Sequence, residues 1–154
     1  MRYEEVTGNV LDSFHPGTFL VHSCNCYGNW GMGIAYALLC RYPRPYEEHK
    51  KYCKEREPSK LIGTSQVILP ERIICLFTSI GHGRNKGTPA EILRDTRLAL
   101  THLFSGSFSE PIVRIVSPRI NAGLFCVPWP ATRDVILDVG NQQGREIEWT
   151  TVCL

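Results

Sequence analysis

The sequence contains no long apolar run. Its most hydrophobic stretch, Ile73-Ile74-Cys75-Leu76-Phe77, is five residues, where a membrane-crossing helix needs about twenty, so it reads as a core strand. An excess of one charge is missing too. The 17 basic and 15 acidic residues leave a net +2, too balanced to argue for nucleic acid or an anionic membrane as partner. Seven cysteines cannot all pair within one chain, and Met1 to Gly17 carries Arg2, Glu4 and Glu5 where a secretory leader needs an apolar core. A reduced, intracellular protein is expected, in the cytoplasm, the nucleus or both.

Stock phosphate-binding signatures are also absent. There is no Gly-x-x-x-x-Gly-Lys, and Gly31-Met32-Gly33 and Gly81-His82-Gly83 lack the third glycine of a dinucleotide fingerprint, with Tyr36 and Lys86 in its place. No cysteine stands six positions before an arginine, as a cysteine-phosphatase loop requires; Cys126 and Arg133 miss by one. Kinase, Rossmann dehydrogenase and cysteine-phosphatase readings fall.

What remains is a globular chain of 154 residues, 43% hydrophobic and 21% charged, with enough core for one domain over residues 1–154. Apolar runs predict strands at Val6–Val10, Gly17–Ser23, Ser65–Leu69, Ile73–Thr78, Ile112–Val116 and Glu148–Leu154. The two middle strands flank Pro70-Glu71-Arg72, a connection of hairpin length. Helices are expected from Gly33 to just before Pro43, over Pro45–Arg56, from Thr88 to Gly106, and over Ala131–Val139. Thr88-Pro89-Ala90-Glu91 has the form of a capping box with proline at the first helical position. Alternating strands and helices make an α/β sandwich.

Three loops follow apolar strands: Asn25 to Gly33, Gly81 to Gly87, and Asn121 to Gly123 with its flanks. Ligands gather where such loops converge at the carboxyl ends of strands. Trp30-Gly31-Met32-Gly33 opens directly into a helix, so backbone amides and the helix dipole can meet a phosphate. Arg119 to Phe125 repeats the pattern of strand, small residues and aromatic. Two such loops suit a pyrophosphate; the same glycines would equally serve plain turns. His22, at the end of a strand beside the first loop, could act as acid, base or nucleophile near neutral pH, or be a buried histidine bonded to a neighbouring backbone. His82, Arg84 and Lys86 form a basic loop that is either solvated or draws in a terminal phosphate. His22, Cys24 and Cys26 alternate like part of a zinc site but lack a fourth ligand, so no metal and no cofactor are expected.

These loops resemble the macrodomain family, a three-layer α/β/α module with a central mixed sheet that binds ADP-ribose. The matching segments, in family order, are Val6-Thr7-Gly8-Asn9-Val10, Val21-His22-Ser23-Cys24-Asn25, Gly31-Met32-Gly33-Ile34-Ala35, and Pro118 to Phe125 with Val127-Pro128. Within the superfamily the chain is most similar to small fungal-type ADP-ribose 1''-phosphate phosphatases. That similarity rests on His22-Ser23-Cys24-Asn25-Cys26, Trp30 before the glycine loop, Leu76-Phe77-Thr78-Ser79, and Gly123 to Trp129.

The resemblance implies that Asn9, between Gly8 and Val10, reads the adenine where many relatives have aspartate. Ser23, Cys24 and Asn25 with Trp30, Gly31, Met32, Gly33, Ile34 and Ala35 would line the distal ribose and first phosphate. Ile120, Asn121, Ala122, Gly123, Leu124, Phe125 and Cys126 would hold the diphosphate, with Phe125 against the distal ribose. Met32 and Cys126 stand where relatives usually carry glycine. The implied activity is metal-independent hydrolysis of ADP-ribose 1''-phosphate, a by-product of transfer RNA splicing, by a monomer. His22 would do the proton or covalent work, and Asn25 would lie near the 1''-phosphate. The alternatives are an ADP-ribose reader without chemistry, or an ADP-ribosyl hydrolase. The hydrolase branch relies on a lysine and an aspartate at places held here by Ser79 and Phe125.

Overall fold

In the computed structural model, which describes residues 1–154, the strands are β1 (Arg2–Thr7), β2 (Phe19–Asn25), β3 (Ser65–Ile68), β4 (Ile73–Ser79), β5 (Arg114–Ser117) and β6 (Glu148–Cys153). The helices are α1 (Gly33–Arg41), α2 (Pro43–Lys54), the one-turn α3 (Pro58–Leu61), α4 (Pro89–Ser105) and α5 (Trp129–Asn141). One mixed sheet has the order β1-β6-β5-β2-β4-β3, parallel throughout except for β3, which runs antiparallel to β4. The last strand therefore sits between the first and the fifth.

Alternation along the central strands sorts the core into two layers. On β4, Ile74 and Leu76 join Val21, Leu100, Ile136 and Trp149 on the face covered by α4 and α5. Cys75 and Phe77 join Leu20, Cys24, Trp30 and Leu38 on the face covered by α1 and α2. All seven residues of β4 are buried, as a strand covered on both faces requires. A buried leucine such as Leu100 or Leu38 in these layers costs about 2–5 kcal/mol on truncation to alanine.

The capping box forms as the sequence predicts: Thr88 Oγ1 accepts from the Glu91 amide at 3.2 Å, and the Glu91 carboxylate accepts from the Thr88 amide at 2.9 Å. Those bonds, first of all the one from the Thr88 backbone, lower the Glu91 pKa below the usual carboxylate value. Pro43 ends one helix and occupies the first turn of the next, so α2 starts two residues earlier than expected. The first strand is displaced. It occupies Arg2–Thr7, not Val6–Val10, because Gly8 turns the chain and the Asn9 side chain accepts from the Leu11 amide at 3.0 Å, opening a 3-10 turn over Val10–Ser13. Residues Arg114–Ser117, not Ile112–Val116, form β5, since its pairing with β6 opens where the Glu148 amide donates to Val113 O at 2.8 Å.

Candidate active site

At the carboxyl ends of β2, β4 and β5 lies a cavity of about 540 Å³, with a wall of 19 residues drawn from the three loops. The volume is that of a small-molecule site.

The first loop joins β2 to α1. Cys26 N donates to Ile80 O at 3.0 Å, tying the loop to the end of β4. Asn25 folds it from within: its Oδ1 accepts from the Tyr27 amide at 2.9 Å and its Nδ2 donates to Asn29 O at 3.2 Å. Gly33, at φ +64, adopts a left-handed backbone that side chains disfavour, and a Cβ there would project into open space. Met32 tolerates its place because its backbone is extended (φ −147) and its side chain is 64% exposed. No side chain caps α1, so its first-turn amides are free for an anion.

The opposite wall is the β5–α5 loop, organised by Asn121, which is 3% exposed with φ +65. Its Nδ2 donates to Thr96 Oγ1 at 2.9 Å and Thr132 Oγ1 at 3.4 Å, and its Oδ1 accepts from Thr78 Oγ1 at 2.9 Å. Its own amide donates to Ser23 Oγ at 3.2 Å. One asparagine thus joins β2, β4, α4 and α5 beneath the loop, whose Gly123, Leu124 and Phe125 amides make no hydrogen bond inside the protein. Cys126 takes φ +59, a glycine-like conformation that explains why glycine suits the position.

The structure brings together Ser23, Cys24, Asn25, Trp30 to Ala35, Ile120, Asn121 and Gly123 to Phe125 in the cavity wall. Gly8, Asn9, Val10, Ala122 and Cys126 lie outside it. The Asn9 side chain caps the 3-10 turn, Val10 is core, Ala122 packs against the core, and Cys126 is exposed. Asn29, Gly83, Pro118 and Arg119 line the cavity too, beyond the candidate residues read from the sequence, and so does His82, whose basic loop the sequence left as either solvated or drawing in a terminal phosphate. The signal for His82 was its place in the loop that follows a buried strand, at the end where ligands gather.

His22 requires a correction. It is fully buried and absent from the cavity wall. Strand alternation sets it between Leu20 and Cys24, on the α1/α2 face, with Trp30 edge-on at 5.0 Å. In this arrangement it cannot touch a substrate.

Below the floor, His22, Cys24 and Cys75 bring their donor atoms within 4.8 Å of one another. They are three donors, one short of the four that a structural zinc takes. Cys24 Sγ is 3.5 Å from Nε2 and 3.6 Å from Nδ1 of His22, and Cys75 Sγ is 3.4 Å from the same Nε2. Burial drives the Cys75 thiol well above its ordinary range, and pushes Cys26 and Cys53 up to about 12. His49 completes this layer: its Nδ1 donates to Gln66 Oε1 (2.8 Å) and its ring stacks on Trp30 and Phe77. Burial lowers its pKa from 6.5.

The Macro domain family model matches residues 21–136. The chain belongs to the macrodomain family. A Saccharomyces cerevisiae protein named ADP-ribose 1''-phosphate phosphatase is 35% identical to this macrodomain over 159 residues, covering 85% of this chain and 89% of the relative. One of the same name from Chaetomium globosum is 34% identical, covering 86% and 81%. Among solved structures, the macrodomain of Mycobacterium tuberculosis DarG superposes with a TM-score of 0.80 at 22% identity, covering 99% of this chain and 97% of that one. Thermosipho africanus DarTG in complex with ADP-ribose superposes at 0.66 and 16% identity, covering 89% and 38%. Both likenesses bear on the fold, and they agree with the mixed-sheet α/β macrodomain architecture read from the sequence.

Proposed function

We propose that this macrodomain is a phosphatase that hydrolyses ADP-ribose 1''-phosphate to ADP-ribose and phosphate. The observation that carries the reading is the pair of facing backbone walls: the uncapped first turn of α1 on one side, and the unbonded amides of Gly123, Leu124 and Phe125 on the other. Two amide nests across one cavity suit a diphosphate with a further phosphate at the α1 end. The fungal relatives, alike over most of their length, carry that activity in their names. The diphosphate and adenosine anchor the substrate, and that binding orients the distal phosphate.

Ser79 and Phe125 bear on the hydrolase alternative. Ser79 is buried with its hydroxyl donating to Gly81 O at 2.7 Å, and Phe125 packs on Ile92 and Val127, so neither offers the lysine or aspartate that branch uses. The reader alternative draws on one fact, that no carboxylate lines the cavity. Purified protein incubated with ADP-ribose 1''-phosphate in EDTA separates the readings. Phosphate release above the uncatalysed rate is expected; ADP-ribose binding without release makes the protein a reader.

A further inference from the structure

We infer that His82 is the general acid of the phosphatase reaction, held in place by Asn29. The inference rests on the phosphatase reading and adds a residue to it. Three ionisable side chains line the cavity: Cys24, Arg119 and His82. Cys24 is 4% exposed, with its sulfur 3.5 Å from Nε2 of the buried His22. Arg119 pairs with Glu5 at 3.5 Å, and a guanidinium does not give up its proton. Of the three, His82 alone is both exposed and a proton carrier.

The loop that carries it is fixed at both ends by one buried hydroxyl: Ser79 Oγ donates to Gly81 O at 2.7 Å and accepts from the Gly87 amide at 2.9 Å. Gly81 lies so close to Asn85 that a Cβ would meet its carbonyl oxygen at 2.6 Å, so the backbone before His82 has a single course. The imidazole turns toward the first loop, with Nε2 3.2 Å from Nδ2 of Asn29. As placed, Asn29 Nδ2 donates to an unprotonated Nε2; when the ring takes up a proton, the amide turned over gives its oxygen to Nε2–H, and Nδ1, with no hydrogen-bond partner in the protein, is the donor.

Hydrolysis of a phosphate monoester at an anomeric oxygen needs such a group. In a loose transition state the bond from phosphorus to O1'' breaks early and its electron pair collects on a poor leaving group. His82 gives its Nδ1 proton to O1'' as that bond breaks. A water oxygen bonds to phosphorus and its proton passes to a phosphate oxygen, so the products are ADP-ribose and dihydrogen phosphate. The neutral imidazole, exposed on its loop, takes a proton back from solvent.

The test uses the purified chain and ADP-ribose 1''-phosphate. His82→Ala should lower kcat by about a hundredfold or more, leave the ADP-ribose Kd within about twofold by calorimetry, keep the melting temperature, and regain rate when imidazole is added. Asn29→Ala should lose less, with the same unchanged Kd. A His82→Ala kcat within about threefold of the parent overturns the assignment. So does a rate loss matched by an equal loss of ADP-ribose affinity, or one that imidazole does not relieve. A parent chain that releases no phosphate fails the phosphatase reading itself, before the variant is compared.

Discussion

Two histidines on neighbouring strands of one sheet have opposite surroundings. His22 lies within β2 and is fully buried among Trp30, Cys24 and Cys75. His82 follows the end of β4, exposed beside the cavity. Both stand near the first phosphate loop in space, and either could pass for a proton carrier on paper. Position along the strand decides between them: inside a strand, alternation commits a side chain to one packed layer, whereas past the strand end the chain can aim it at a ligand. The floor beneath the cavity should therefore register substitutions as stability, and the wall should register them as binding and rate.

The sharpest test of that division is the residue where floor and wall meet. Asn121→Ala strands the Thr78 hydroxyl, removes the donor to Thr96 and Thr132, and places alanine at a positive φ, which should cost about 4 kcal/mol and weaken ADP-ribose binding as well. Urea denaturation and calorimetry would reveal it; a loss in one property alone would show that the two regions are not joined there.

Within the floor, His22→Ala opens a cavity under Trp30 and should cost about 3 kcal/mol of stability. Turnover per folded molecule should stay near that of the parent. If activity vanished while the denaturation midpoint held, the division into floor and wall would be wrong.

On the wall, Gly33→Val should keep the protein folded at a cost of about 1–2 kcal/mol, since a β-branched residue is strained at φ +64. Its side chain would enter the anion's space from a left-handed backbone, and ADP-ribose affinity should fall by at least about a hundredfold, about 2.7 kcal/mol. Retained affinity would move the phosphate elsewhere.

The smallest effect is a titration of the floor. Burial lowers the pKa of His49 below 6.5, so as pH falls past that value the unfolded chain takes up a proton that the folded one refuses. Stability is then full near neutrality and declines on acidification. The groups facing this ring, His22, Cys24, Cys53 and Gln66, leave burial as the largest influence. Denaturation free energies compared at about pH 7.5 and 5.5 should slope less in His49→Gln; an equal slope would assign the titration to another group.

Local chemistry made much of this legible. The Thr88 to Glu91 box, the stop at Pro43 and the Pro70-Glu71-Arg72 hairpin are decided by residues within a few positions of one another, and each formed where the sequence put it. The two amide walls were legible for the same reason, since small residues before a helix or after a strand say where backbone can be approached. What stayed hidden depends on partners far away. Nothing in Val6-Thr7-Gly8-Asn9-Val10 announces that its middle turns away from β6, and the depth of His22 depends on Trp30 and Cys75 closing over it. Asn29 looked like a turn residue, and only the fold sets it against His82, 53 positions on.

The place of β6 has a consequence for biosynthesis. Strand β1 pairs with no strand other than β6, residue for residue from Arg2 with Glu148 to Thr7 with Cys153. A nascent chain leaving the ribosome therefore carries its first strand unpaired until its final segment emerges, while β2, β4 and β5 can already assemble. Closing the sheet is then an insertion of the newest strand between the oldest and the fifth, and a polypeptide stalled before Glu148 would display two open edges of the kind that chaperones shield.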